Sequence, residues 1–152
     1  MKKLVIYDSQ YGNTKKIAEA VANAIKGDLV GVEELSEELV EGASLLVVGS
    51  PTQGGRPTQR LQDFFFTLPG DSLKGVSIAS FDTRLKESNL NFALKLLVKT
   101  IGYAASKMET LLVSKGGRVV NTAEGFFVKG KEGPLMDGEL ERAIKWAKKI
   151  KI

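Results

Sequence analysis

The sequence predicts an α/β protein in which a doubly wound, five-stranded parallel sheet carries helices on both faces. Short apolar runs alternate along the chain with amphipathic segments of helical spacing, which is the pattern of successive β-α-β units. The run at residues 45–48 is apolar at every position, as a strand at the centre of a parallel sheet has to be. Right-handed crossovers then leave few arrangements of the strands.

The first half of the chain supplies three strands and two helices. Residues 4–7 are apolar, with the β-branched Val5 and Ile6 at their centre, and predict a buried strand. Residues 14–26 carry an apolar stripe at helical spacing. The alternation of apolar and polar residues over 29–35 predicts a half-buried strand, and residues 44–49 are predicted to form the central strand of the sheet. Residues 58–67 read as a helix that Pro-Gly closes.

The second half continues the alternation. Residues 76–81 form the fourth strand, and residues 104–115 form a helix that Gly-Gly ends. The apolar stretch between them predicts an extra short helix. Residues 118–120 start the fifth strand, which residues 126–128 continue. A final helix begins at Asp137 as its cap and buries one stripe of side chains: Leu140, Ala143, Ile144 and Ala147.

The composition restricts the chemistry. The 152 residues match one ordinary domain, so we expect residues 1–152 to form a single domain. The chain has 0 Cys and 0 His, which excludes disulfides, thiolate or imidazole metal sites and Ser-His-Asp or Cys-His catalysis. Redox chemistry would have to come from an organic cofactor. The net charge of +4 either favours an anionic ligand or acidic partner, or reflects a solvated surface.

The sequence also bears on the cellular location of the protein and on the partners it can have. No basic run is long enough for a nucleic-acid arm, and no run approaches the roughly 20 apolar residues of a membrane span. The first apolar run ends at Asp8, too early for a secretory signal. We expect a cytoplasmic protein with no nucleic-acid partner and no integral membrane segment.

Ligands of open parallel sheets bind beyond the carboxyl ends of the strands, so three loops are candidates. The first is residues 9–14, Ser-Gln-Tyr-Gly-Asn-Thr, between a strand and a helix. Unpaired amides and the positive dipole end of that helix suit a phosphate, with Ser9, Asn13 and Thr14 as further donors. The loop matches neither a Walker loop nor a dinucleotide fingerprint. The alternative is a helix that Ser9 and Thr14 merely cap.

The other two loops follow the third and fourth strands. In residues 49–57, Gly54-Gly55 allow the backbone to approach a flat ligand and a peptide unit to reorient; an ordinary turn is the alternative. In residues 81–84, Phe-Asp-Thr-Arg, short polar side chains and amides would face the same crevice. The alternative there is a surface turn with an Asp82–Arg84 charge pair.

Together these loops resemble the flavodoxin family. Ser9, Gly12 and Thr14 match its S/T-x-x-G-x-T phosphate motif, and residues 49–55 match its G-S/T-P-T-x-G-G stretch. Residues 81–84 and the segments 124–128 and 138–143 are similar to one subgroup of that family. The resemblance covers nearly the whole chain and implies sheet order 2-1-3-4-5.

The resemblance implies FMN bound non-covalently. Residues 9–14 would hold the phosphate, the second and third loops would flank the isoalloxazine, and the Gly54–Gly55 peptide would contact flavin N5. The cofactor-binding residues implied are Ser9, Gln10, Tyr11, Gly12, Asn13, Thr14, Pro51, Thr52, Gln53, Gly54, Gly55, Phe81, Asp82, Thr83 and Arg84.

The resemblance also implies a one-electron carrier that docks with redox partner proteins, a reductase and an acceptor. The alternatives are an FMN-dependent quinone or porphyrinogen oxidoreductase, and a binding module that has kept the fold without the flavin. The chain departs from well-known flavodoxins in its positive charge and in offering no obvious Trp or Tyr in the second loop or just after Phe81. Its apolar stretch at residues 90–101 would either pack on the sheet or serve self-association, a partner or a membrane surface.

Overall fold

The computed structural model describes residues 1–86, 88 and 90–152, without the side chains of residues 98–101. The strands are β1 (Lys3–Tyr7), β2 (Asp28–Gly31), β3 (Leu45–Pro51), β4 (Ser77–Leu85), β5 (Arg118–Val119) and β6 (Glu124–Val128). The helices are α1 (Asn13–Ile25), α2 (Glu37–Val40), α3 (Gln59–Thr67), α4 (Phe92–Ile101), α5 (Ala104–Ser114) and α6 (Glu139–Lys148). The extra helix predicted before residue 104 is therefore present as α4.

The sheet is parallel and has the order β2-β1-β3-β4-β5, with β6 also paired to β4. β5 lies beside the start of β4, at Ser77 and Ile78, whereas β6 lies beside its end, from Phe81 to Leu85. The fifth position of the sheet is thus one strand interrupted between two segments. The order 2-1-3-4-5 is confirmed.

Helices cover both faces of the sheet, as predicted. Alternate strand residues point to opposite faces, so Val5 and Val47 meet α1 and α6, whereas Leu46 and Ile78 meet α3 and α5. Because both faces are buried, the middle strands are apolar on both sides. None of the helices within the described ranges is long and apolar enough to span a bilayer.

Strands β2, β3 and β4 end at different places from those predicted. β3 continues to Pro51 beside β4, so the first three residues of the predicted loop at 49–57 lie in a strand. β2 stops at Gly31 because its neighbour β1 ends at Tyr7, which pairs with Gly31, and a 3-10 turn (Val32–Glu34) follows. β4 runs on to Leu85, because β3 flanks it as far as Thr83 and β6 as far as Leu85. The prediction that residues 81–84 form a loop is therefore wrong, since they lie in a strand.

The last helix begins one residue later than predicted. Gly138 occupies the cap position, and the Asp137 side chain is fully exposed. The Glu139 carboxylate turns inward and accepts the amide of Phe127 at 2.7 Å. That orientation leaves Leu140 41% exposed, contrary to the predicted stripe, and puts Trp146 in the core.

Candidate functional site

The carboxyl ends of β1, β3, β4 and β6 meet at one edge of the sheet around a cavity of about 540 Å³, here called the rim cavity. This is where ligands of open parallel sheets bind. Residues of all three predicted segments and of three others line it: Ser9, Gln10, Tyr11, Asn13, Thr14, Pro51, Thr52, Gln53, Gly54, Thr83, Arg84, Leu85, Leu90, Tyr103, Val128 and Lys131.

The first loop presents hydrogen-bond donors to the rim cavity. The Ser9 hydroxyl oxygen accepts the amides of Gly12 at 3.1 Å and Lys15 at 3.3 Å, so its own proton is directed elsewhere. The cap residue of α1 is Gly12, which has no side chain, and the first turn of the helix contains no acidic residue. Among the described residues nothing accepts the amides of Asn13 and Thr14. These groups form the positive end of a thirteen-residue helix, which suits an anion.

The second loop is a tight hairpin turn. Gln53 and Arg56 exchange backbone hydrogen bonds of 2.9 and 3.0 Å, and Gly54 and Gly55 between them have φ values of 58° and 77°. Positive φ at both central positions defines a type I′ turn, which strongly favours glycine. Gly54 lines the rim cavity, whereas Gly55 and, in the first loop, Gly12 shape their turns without lining it.

Long-range hydrogen bonds hold the segments around the cavity together. The hydroxyls of Thr14 and Thr83 are 2.8 Å apart and buried. The Gln53 side-chain amide donates to the Gln10 side-chain oxygen at 3.0 Å. The Asn13 amide donates to the carbonyl of Glu132 at 3.1 Å, which fixes the loop that carries Lys131. The first loop is therefore bound to the second loop, to β4 and to the loop that carries Lys131.

The structure does not place Phe81 at the cavity. Its side chain is fully buried, and its ring lies 6.0 Å from those of Phe126 and Trp146 in edge-on contacts. Because β4 continues to Leu85, Phe81 lies four residues inside the sheet. The expectation that Phe81 flanks the ring of a cofactor is therefore wrong; it is a core residue.

Asp82 does not face the cavity either. Both its oxygens accept hydrogen bonds from Arg84, each at 2.7 Å, and one also accepts the amide of Ala105 at 2.9 Å. Burial raises the pKa of Asp82 above its ordinary value, and the hydrogen bonds and charge of Arg84 oppose that shift. The Asp82–Arg84 pair predicted as an alternative is present, but within a buried strand rather than a surface turn.

Five lining residues were not predicted as part of the site: Leu85, Leu90, Tyr103, Val128 and Lys131. Tyr103 supplies an aromatic ring that the second loop and the residues just after Phe81 do not offer. It precedes α5, and the Arg84 guanidinium carbon lies 3.6 Å from its ring centroid. A tyrosine after Gly102, between two helices, was the one available sign.

The charges that line the cavity are all of one sign. Among the described residues, the lining contains the cations Arg84 and Lys131 and no carboxylate. Cations in a partly enclosed cleft concentrate anions there. Together with the amides of α1, they make this end of the sheet suitable for a ligand that carries a phosphate.

Comparisons with known proteins agree with this arrangement. The model of the family described as "Flavodoxin" matches residues 5–146. A flavodoxin of Aquifex aeolicus is 42% identical over 76 residues, and the match covers 46% of this chain and 41% of that relative's length. The chain therefore matches less than half of that relative.

Solved structures share the fold at low identity. Oxidised flavodoxin 1 of Bacillus cereus has a TM-score of 0.73 and 16% identity, covering 98% of this chain and 96% of that one. Oxidised flavodoxin 2 of the same organism also has a TM-score of 0.73, with 21% identity and coverage of 98% and 97%. With the family model matching most of its length, the chain belongs to the flavodoxin family.

Proposed function

We propose that this chain binds FMN non-covalently in the rim cavity and carries electrons, one at a time, between a reductase and an acceptor protein. The observation that supports this is the cavity, which joins an anion-binding turn to a chamber with aromatic walls. Its volume of about 540 Å³ is in the range of small-molecule sites, roughly 300–1,000 Å³.

The donor set of the first loop fits a phosphate. The amides of Asn13 and Thr14 are directed outward from the start of α1, and the Ser9 hydroxyl proton is not used within the loop. Hydrogen bonds to a charged group contribute about 1.5–3 kcal/mol each. Several such bonds would hold a dianion without a lysine in the turn.

The remaining walls fit a flat ring system. Tyr11 and Tyr103 offer aromatic surfaces, and Leu90 and Val128 offer apolar ones. We further propose that the Gly54–Gly55 peptide faces the flavin N5, since two glycines allow this peptide unit to rotate at low cost. When bound, FMN supplies the single-electron chemistry, and this chain's residues bind it, orient it and limit its contact with water.

The partners would dock around the mouth of the rim cavity. Leu90 lines the cavity, and the neighbouring helix α4 exposes apolar side chains, with Phe92 77% exposed. Exposed apolar patches beside a binding site are typical of interaction surfaces. With a net charge of +4, the chain suits partners that are acidic. Self-association through residues 90–101 is the competing use of this surface.

The test is a titration with FMN, followed by the quenching of flavin fluorescence and by the visible spectrum. We expect one FMN per chain with a Kd in the micromolar range or below. The absence of binding at micromolar concentrations would contradict the proposal and favour a binding module without flavin.

Turnover assays then separate a carrier from an enzyme. A carrier needs both an added reductase and an added acceptor to pass electrons from NADPH. Steady reduction of a quinone by NADPH without a reductase would instead support the FMN-dependent quinone oxidoreductase. The porphyrinogen oxidoreductase needs an assay in the other direction, in which the FMN-loaded chain oxidises a porphyrinogen to the porphyrin and an added quinone accepts the electrons.

Three further parts of the proposal have their own measurements. Limited proteolysis tests whether residues 1–152 act as one domain. Fractionation of cells tests the proposed location in the cytoplasm. Light scattering over a range of concentrations tests self-association through residues 90–101, which replacing the exposed Phe92 and Leu97 by Ser would abolish.

A further inference from the structure

The Arg84 guanidinium on the wall of the rim cavity is held in one orientation by several contacts. Its Nε and Nη2 atoms donate to the two oxygens of Asp82, each at 2.7 Å. This fork is possible because residues two apart on β4 point to the same side of the strand. Paired planar contacts of this kind fix the direction of the guanidinium as well as its position.

Two further residues fix the guanidinium plane. The Tyr103 ring lies against it, with 3.6 Å between the arginine Cζ and the ring centroid. Gly125 on β6 leaves the space that Arg84 occupies: a Cβ at this position would lie 2.1 Å from Nε and 2.2 Å from Cζ. A side chain at residue 125 and the observed place of Arg84 therefore exclude each other.

The counter-charge is itself anchored away from the cavity. The Asp82 side chain is fully buried and accepts the amide of Ala105. Arg84 lines the rim cavity with 19% of its side chain exposed, and Asp82 does not line it. The pair is thus a fixed dipole whose positive end faces the cavity.

We propose that this dipole sets the redox preference of the site: Arg84 favours the bound cofactor in its reduced, more negatively charged form, with Asp82, Tyr103 and Gly125 as positioning residues. The inference rests on the proposed function, because it takes FMN as the occupant. Each electron that a donor delivers without a proton adds one negative charge to the cofactor. Arg84 exchanges neither electron nor proton; it only interacts more favourably with the added charge.

The measurement is the ratio of the dissociation constants of oxidised and reduced FMN, obtained from binding and from the reduction potential. Arg84→Gln should lower this ratio about fivefold, which for one electron corresponds to a potential about 40 mV more negative. Arg84→Lys, which keeps the charge but loses the fork, should fall between the wild type and Arg84→Gln.

Asp82→Asn should act in the opposite direction. It removes the counter-charge but keeps the shape, so the cation is less neutralised and the ratio should rise. A purely structural role for the pair would move both variants in the same direction. This variant also carries the test if Arg84→Gln does not fold, as judged by its circular dichroism and thermal unfolding.

Arg56→Gln is the matched control. It removes the same charge from an exposed position on the neighbouring hairpin that does not line the cavity, and the ratio should change less than twofold. If Arg84→Gln changes the ratio no more than this control, or if it and Asp82→Asn shift it in one direction, the inference is overturned. If the wild type does not bind FMN, the proposed function fails, and the inference with it.

Discussion

Replacing Ser9 by Ala tests the anion-binding turn most directly. The Ser9 oxygen accepts the amides of Gly12 and Lys15, so its loss removes the side-chain acceptor at the start of α1. Loss of such an acceptor costs about 0.5–2 kcal/mol of stability. The variant also loses the hydroxyl proton, whose bond to a phosphate is worth about 1.5–3 kcal/mol. The Kd for FMN should therefore rise roughly 10- to 150-fold.

Ser36→Ala provides the matched control. The Ser36 hydroxyl accepts the amide of Leu39 at 3.2 Å at the start of α2, so it loses the same kind of bond away from the cavity. It should lower the free energy of unfolding similarly while leaving the Kd for FMN unchanged. Chemical denaturation and FMN titration of both variants give the two quantities.

Riboflavin, which lacks the phosphate, separates the turn from the ring pocket. The Ser9→Ala variant should discriminate less between FMN and riboflavin, by the same factor of roughly 10 to 150, because only FMN engages the turn and the helix amides remain to hold its phosphate. Equal weakening of both ligands, or equal loss of FMN affinity in the Ser36→Ala variant, would refute the assignment of the phosphate to residues 9–14.

Three other substitutions test the core and the last helix. Phe81→Leu should lower the free energy of unfolding by about 1–3 kcal/mol and leave the FMN affinity within twofold; a large loss of affinity would return Phe81 to the site. Gly49→Ala should cost about 1–3 kcal/mol in denaturant, because a Cβ would lie 2.0 Å from the Phe81 ring, and an unchanged midpoint would contradict this contact. Burial raises the pKa of Glu139, but bonds from Arg142 and the Phe127 amide outweigh it and lower the pKa overall. The stability that Glu139 contributes is thus present above its unfolded pKa of about 4.3 and lost as the pH falls through the lower folded value. Glu139→Gln should cost roughly 1–3 kcal/mol at pH 7, and its free energy of unfolding should converge with that of the wild type as the pH falls below the lowered pKa of Glu139.

The parts of the site that the sequence predicted are those set by local chemistry. The turn at residues 9–14 combines a strand end, a glycine and hydroxyls directly before a helix, and each of these acts within a few residues. Gly54-Gly55 likewise requires only its own backbone to form a type I′ turn. Local rules were sufficient for both.

The parts that were missed depend on distant segments. The length of β4 is decided by its neighbours β3 and β6. The sequence of residues 76–84 contains no pattern that shows where those two strands end. The inward rotation of Glu139 depends on the amide of Phe127, and with it the choice of Trp146 over Leu140 as the buried residue. Such errors follow from tertiary pairing that overrides local preference.

The hydrogen bonds that join the segments of the rim cavity also reduce the number of donors that remain for a phosphate. Four side-chain bonds join its segments: Thr14–Thr83, Gln53–Gln10, Asn13–Glu132 and Thr52–Ala104. In the buried threonine pair one hydroxyl donates to the other, so the two together keep one proton for a ligand rather than two. These bonds leave fewer free donors but make the site more rigid. Residues that are already bonded to one another lose less conformational freedom when FMN binds. The phosphate would therefore be held mainly by the amides at the start of α1 and by Ser9, and the pair Thr14–Thr83 would contribute one further hydrogen bond.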